Sequence, residues 1–287
     1  MSQLEGLPLA PVLLQNKEHV FFAGPAHPKV KQVRNLIDNT RPNPHRLFII
    51  EGIWAHQKAI ETNLEVVSFL CCPEHVFSPE AQALAQHFIQ NSPETYVLSA
   101  KVFEKLSERD APDGLLSVCK FPTTQLGELS FGNECLFIVL DGLEIPGNIG
   151  TIMRSADGAG ADAILICNRR ARLTHPKIVK GSMGAVFAKP VVECANTQEL
   201  IDWLIENKFT VYLTDTRAQQ SYFQPAYRGR VAIVAGSERY GITKAWYNAP
   251  HQLISIPMLG QNDSLNVAIS TTVVLYEASM KQKGFRK

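Results

Sequence analysis

The chain has 287 residues, 45 % of them hydrophobic and 19 % charged, which is enough apolar material to bury the cores of two ordinary domains. Its net charge of +1 excludes a protein that coats nucleic acid through bulk electrostatics. No window supplies the roughly eighteen apolar residues of a membrane span, and the N-terminus lacks the basic and apolar segments of a secretory leader, so a cytoplasmic location is expected.

Residues 1–27 read as an N-terminal extension. From Pro28 to Phe121, short apolar runs such as RLFIIEG, LEVVSFLCC, ETYVLS and GLLSVCKF alternate with helical stretches such as IWAHQKAIETN, PEAQALAQHFIQ and AKVFEKLSERD. That alternation predicts a smaller α/β domain over 28–121. It carries a basic cluster, Lys29, Lys31, Arg34, Arg41 and Arg46, against the single acid Asp38, and such a cluster suits phosphate contacts. The stretch PTTQLGELSFGNE, rich in turn formers, reads as a linker over 122–134.

The remainder, 135–287, reads as a second domain. The runs CLFIVLD (135–141), AILIC (163–167), TVYLTD (210–215), RVAIVAG (230–236) and LISIPM (253–258) have the unbroken apolar character of buried parallel strands. TQELIDWLIENK (197–208) reads as a helix, with Asn196 and Glu199 as a capping pair. A last helix is predicted from near Ser264, its apolar residues at 265, 269, 273 and 276 following helical spacing. Between Asp162 and Glu193 lie Arg169, Arg170, Arg172, Lys177, Lys180 and Lys189 with no acid among them, a second candidate surface for an RNA backbone. The cysteines (Cys71, Cys72, Cys119, Cys135, Cys167, Cys194) are scattered without a C-x-x-C pair, so reduced core residues are expected, with neither a metal site nor a disulfide.

Ligands of open parallel sheets bind beyond the carboxyl ends of the strands, which directs attention to three loops. The first, DGLEIPGNIGTIMRSADGAGA (141–161), sets Asn148 ahead of a helix whose first turns carry Arg154, a residue expected to face back toward the loop. Its glycines do not spell G-x-G-x-x-G directly after the strand, and the lysine and hydroxyl of a P-loop are missing, which excludes those two nucleotide turns. The second loop, AGSERYGIT (235–243), brings Glu238 to the rim. In the third, ISIPMLGQNDSLNVAIS (254–270), Pro257 and Gly260 break the strand, and Ser264, Leu265 and Asn266 open the final helix.

Taken together, N-x-x-x-x-x-R (148–154), G-x-E-x-x-G (236–241) and I-P-M-x-G-x-x-x-S-L-N-V (256–267) resemble the SpoU (TrmH-type) branch of the knotted RNA methyltransferases, over about Leu136 to Glu277. Within that branch, LDGLEIPGNIGTIMRSADGAGA and GSMGAVFAKPVV resemble the ribosomal-RNA methyltransferases that include the thiostrepton-resistance group. The resemblance implies a C-terminal parallel-sheet domain with a deep trefoil knot, preceded by a smaller α/β RNA-binding domain. It implies S-adenosylmethionine as cofactor, with Gly236, Ile256 and Leu265 meeting it through backbone groups and Thr214, Met258 and Ser264 as neighbours. It implies 2′-O-methylation of ribose in RNA, ribosomal in preference to transfer RNA, by a homodimer without a metal. Arg154 would be the central catalytic residue, assisted by Asn148, Glu238, Ser264 and Asn266, while Arg169, Arg170, Arg172, Lys180, Lys29, Lys31 and Arg34 would meet the RNA. Because a guanidinium has a pKa above about 12, Arg154 reads better as a bidentate grip on phosphate that stabilises developing alkoxide than as a proton acceptor. The alternatives are the same reaction on transfer RNA and a non-catalytic RNA-binding factor of the same fold.

Overall fold

The computed structural model describes residues 18–286, which form two compact units: 18–122 with 174–179, and 123–173 with 180–286. Most of the expected N-terminal extension lies outside the described residues, but its end does not. Val20–Phe22 is an edge strand of the first sheet.

In chain order the first unit holds β1 (Val20–Phe22), α1 (Pro28–Asp38), β2 (Leu47–Glu51), α2 (Ile53–Glu61), β3 (Val66–Cys71), α3 (Pro79–Asn91), β4 (Thr95–Val97), α4 (Ala100–Phe103) and β5 (Leu115–Lys120). The strands order as β1-β4-β3-β5-β2, with β5 antiparallel to both β2 and β3. Pleating alternates their side chains between two faces. Leu47, Leu70, Leu116 and Val118 share one core with Val30 and Val33 of α1. Against the opposite side, Phe69 and Phe88 meet the fully buried ring of His56 edge to face. The helix expected over AKVFEKLSERD stops at Phe103, and downstream the Ser107 hydroxyl bonds the Glu51 carboxylate.

The second unit holds β6 (Cys135–Asp141), α5 (Pro146–Gly158), β7 (Ala163–Cys167), α6 (Pro176–Ser182, shared with the first unit), α7 (Ala185–Ala188), β8 (Val191–Cys194), α8 (Thr197–Glu206), β9 (Thr210–Thr214), β10 (Arg230–Gly236), α9 (Lys244–Tyr247), β11 (Gln252–Ile254) and α10 (Val267–Gln282). All six strands run parallel in the order β11-β9-β10-β6-β7-β8. Every residue of β6 and β7 is buried, because helices cover both faces of the sheet. Phe137, Val139 and Leu165 pack with Leu200 and Leu204 of α8, while α10 crosses the other face against β6, β10 and α5. The stretch 122–134, read as a linker, belongs mainly to this unit: Leu126, Leu129 and Phe131 pack on the core, and the Phe131 ring lies 5.4 Å from that of Phe137.

Two expectations at the C-terminal end need correction. The run 253–258 is not one strand. After Ile254 the Ser255 amide turns to bond Gln220 O at 2.9 Å, and Pro257 has no amide to offer. The last helix starts at Val267, not near Ser264, because Asn266 is its cap: Oδ1 accepts from Ala268 N at 2.9 Å and from Ile269 N at 3.4 Å. Separately, the core face of α10 is not the stripe at 265, 269, 273 and 276. Leu265, Ile269 and Tyr276 are exposed, and Ala268, Thr271, Val274, Leu275 and Ala278 are buried instead.

Candidate active site

Chain direction along the sheet reverses between β6 and β10. From β6 the chain moves outward to β7 and β8, then returns on the far side to β9, β10 and β11. A crevice opens at such a switch point, beyond the carboxyl ends of the strands. There the second unit has a cleft of about 1060 Å³, lined by the ends of β9, β10 and β11, the first turn of α5 and the start of α10.

Each loop reaches the cleft for a local reason. Gly236 ends β10 where a Cβ would overlap the backbone of Gly241 and Ile242, so only glycine allows the chain to fold back so tightly. The resulting turn closes on itself, Gly241 N donating to Ser237 O at 2.8 Å and Ser237 N to Gly241 O at 3.1 Å. Ser237 Oγ accepts from the amides of Arg239 and Tyr240, both at 3.2 Å. Glu238, exposed in this turn, accepts a hydrogen bond from Asn148 Nδ2 at 2.6 Å. Asn148 Oδ1 in turn accepts from Asn266 Nδ2 at 3.3 Å. One chain of side-chain hydrogen bonds therefore joins all three motif loops. Asn148 lies in the first turn of α5, which begins at Pro146 instead of after Asn148. That turn has no side-chain cap, and a helix N-terminus favours anions.

Thr214, Gly236, Ile256, Met258, Ser264 and Leu265 all line the cleft, as do Asn148, Glu238 and Asn266. Ser264 is exposed, and its hydroxyl donates to Asp263 Oδ1 at 3.4 Å. Arg154 does not line the cleft. It is exposed, and among the described residues it has no hydrogen-bond or ion-pair partner. Helix geometry gives the reason: six residues beyond Asn148, it sits about 9 Å further along the axis and about 120° around it, on another face.

The cleft also holds residues that no motif spacing signals. Asp215, just after β9, accepts from Arg217 Nη2 at 2.8 Å and from Tyr247 Oη at 2.7 Å. The Arg217 hydrogen bonds hold its carboxyl well below the usual carboxylate range, while burial and the Asp215 bond push the Tyr247 phenol up to about 12. The donor set suits a nucleoside bearing an amino-acid tail. Ile242, Ile254, Ile256, Met258 and Val274 offer apolar walls for a base and a thioether, and Thr214, Asp215, Arg217, Ser237 and Asn248 offer partners for hydroxyls and a zwitterion.

The basic positions divide into two kinds. Arg169 Nε pairs with Glu193 Oε2 at 2.7 Å and Lys29 Nζ with Glu94 Oε2 at 3.0 Å, so both charges are already compensated. Arg170, Lys31 and Arg34 are exposed and without an ion-pair partner among the described residues, and Arg172 and Lys180 are exposed as well. The acid-free reading of 162–193 missed the Arg169 pair because its acid sits at the boundary of that segment.

Residues 135–276 match the SpoU rRNA Methylase family, and residues 27–117 match the MRM3-like substrate binding domain. A crystal structure of an RNA 2′-O ribose methyltransferase is 32 % identical, covering 90 % of this chain and 97 % of that one, with a TM-score of 0.74. The AdoMet-bound rRNA methyltransferase of Sinorhizobium meliloti is 26 % identical over 91 % of this chain and 97 % of that one, with a TM-score of 0.81. A 23S rRNA (uridine(2479)-2′-O)-methyltransferase of Streptomyces viridochromogenes is 27 % identical over 80 % of this chain and 82 % of its own length.

Proposed function

The chain belongs to the SpoU rRNA methylase family, and from that premise we propose that its cleft binds S-adenosylmethionine and directs methylation of a ribose 2′-hydroxyl in ribosomal RNA. The observation that carries the reading is the hydrogen-bonded chain Glu238–Asn148–Asn266, which ties three family motifs together at the switch point of the sheet.

The cofactor, when bound, supplies a methyl group made electrophilic by a sulfonium centre. The protein's part is placement, because a 2′-hydroxyl is a weak nucleophile and must be aligned with that methyl. Gly236, Ile256 and Leu265 hold the cofactor through backbone groups, with Thr214, Met258 and Ser264 beside it. Glu238 has one oxygen engaged by Asn148 and leaves the other to accept from a ribose hydroxyl. Arg154 grips the neighbouring phosphate with its planar fork.

Arg154 lies outside the cleft of its own chain, and this favours a homodimer that completes the site. Exposed Leu265, Ile269 and Tyr276 make an apolar stripe at the start and along the outside of α10, which packs on α5, the helix that carries Arg154. Exposed apolar patches of this kind mark interfaces. The deep knot is part of the same reading. β11 sits at the sheet edge beyond β9 while α10 packs on β6 and β10, so residues 255–266 must cross back over the strand ends. Residues 28–121 act as the domain that selects RNA, and the basic positions of both units meet its backbone. No described helix is long and apolar enough to cross a membrane, and the family reading puts the work in the cytoplasm.

Mapping 2′-O-methyl groups across ribosomal and transfer RNA, in cells with and without the gene, tests the reading. Loss of a ribosomal site is expected. Loss of a transfer-RNA site alone would move the substrate, and cofactor binding without transfer to any RNA would favour a non-catalytic factor. For the shared site, mixing Arg154→Ala chains with Glu238→Ala chains should recover part of the activity that neither has alone; no recovery would return Arg154 to its own cleft.

A further inference from the structure

Asp141, the last residue of β6, is a fully buried carboxylate that no cation pairs among the described residues. Burying such a charge is costly, and an apolar side chain of similar volume would serve the core better. Its surroundings show what holds it. Oδ1 accepts from Asn168 Nδ2 at 2.6 Å and from Cys167 Sγ at 3.4 Å, at the end of β7. Oδ2 accepts from the backbone amide of Thr243 at 2.7 Å. The register of β10 on β6 sets Gly236 directly opposite Asp141, so the carboxylate lies at the root of the 237–243 turn.

That turn has two attachments to the sheet, besides the burial of Ile242 in the core. Its incoming arm is continuous with β10, and its outgoing arm is tied to the sheet by Thr243 N on Asp141. Between them sits Glu238, whose 2.6 Å bond to Asn148 begins the chain that joins the three motif loops. Without the bond from Thr243 to Asp141 the outgoing arm would keep only the packing of Ile242 on the core, and Glu238 would lose a fixed position over Asn148.

We propose that Asp141 is a positioning residue for methyl transfer: it fixes the 237–243 turn through Thr243 and so sets Glu238 against Asn148, while its other oxygen ties in the loop that opens with Asn168. The inference rests on the reaction proposed above, and it is tested by two measurements that fail separately. In Asp141→Leu, which offers no oxygen to Thr243 N, the single-turnover rate constant falls about ten- to a hundredfold, the cost of a misplacement on the order of 1 Å, while the affinity for RNA changes less than about threefold. Amide exchange of residues 237–243 rises in Asp141→Leu, and that of β6 and β10 stays slow.

The double variant Asp141→Asn with Asn168→Asp keeps an oxygen for Thr243 N and reverses the donor and acceptor of the second bond. It should keep both the single-turnover rate constant and the protection of the turn within about threefold of the parent. A double variant with a parent-like melting temperature and a protected turn but the rate still lost overturns the proposal. So does unchanged exchange of 237–243 in Asp141→Leu. If the unaltered protein transfers no methyl group, the functional reading falls, and the exchange measurement still decides whether Asp141 fixes the turn.

Discussion

Asn148, Glu238 and Asn266 are three polar side chains 90 and 118 residues apart in pairs, yet they form one continuous hydrogen-bonded chain. A neutral amide held between a carboxylate and a second amide has its rotamer fixed, which is what a residue that orients a ribose needs. Arg154 is the opposite case, an exposed arginine with no side-chain partner among the described residues. The proposed role as a bidentate phosphate grip predicts that Arg154→Lys, which keeps the charge and loses the fork, lowers kcat at least about tenfold. Near-normal turnover of that variant on its RNA would show that charge alone suffices. The motif residues were legible because their spacing repeats a family pattern. Asp141, Asp215, Arg217 and Tyr247 were not, since a carboxylate at a strand end looks the same in sequence whether it meets water or a buried amide.

Among the elements, α10 shows how one residue can serve both helix and site. Asn266 accepts from two amides of the first turn and donates to Asn148. Asn266→Ala loses both functions and should cost about 0.5–2 kcal/mol of stability together with activity. Asn266→Asp keeps the capping oxygen and adds a charge favoured at a helix N-terminus, but it has no donor for Asn148. Its melting temperature should match the parent while methyl transfer falls, and equal activity would remove Asn266 from the site. In the first unit, His56 Nδ1 donates to Gly52 O at 2.8 Å, which leaves Nε2 to accept from Ser117 Oγ at 2.9 Å. Burial lowers its pKa to about 4, below the unfolded value near 6.5. Between those values the unfolded chain binds more protons, so the contribution is complete above pH 6.5 and lost as pH falls toward 4. Denaturant titrations at pH 7.5 and pH 4.5 should differ by up to roughly 3 kcal/mol for the first unit, and less for His56→Gln.

For the molecule as a whole, a net charge of +1 leaves RNA affinity to local clusters. Positions with uncompensated charge should release counterions on binding, and positions already paired should release few. Replacing Arg170 or Lys31 by alanine should therefore reduce the salt slope of RNA binding by about 0.7 to 1 each. Arg169→Ala and Lys29→Ala should change it less, because Glu193 and Glu94 already neutralise them. Equal effects at all four positions in a salt titration would mean that RNA displaces those ion pairs. The exposed apolar stripe on α10 belongs to this scale as well. Its helical spacing was plain in the sequence, but periodicity states only that a face is apolar, not whether it meets the core of its own chain.

By itself the sequence located five of the six parallel strands of the second unit, missing the short β8, together with the α/β character of the first and the three motif loops. Unbroken apolar runs and family spacing are properties of neighbouring residues. The tertiary structure decided where those loops meet, which asparagine caps α10, which cations are already paired, and that Arg154 stands outside the cleft of its own chain. Each of these depends on side chains brought together from distant strands, or on which side of a helix faces the sheet. The loop after β6 gains its meaning the same way. Asn148 is visible in its motif, but the buried Asp141 at its root acquires a role only when β10 lies alongside and delivers the amide of Thr243.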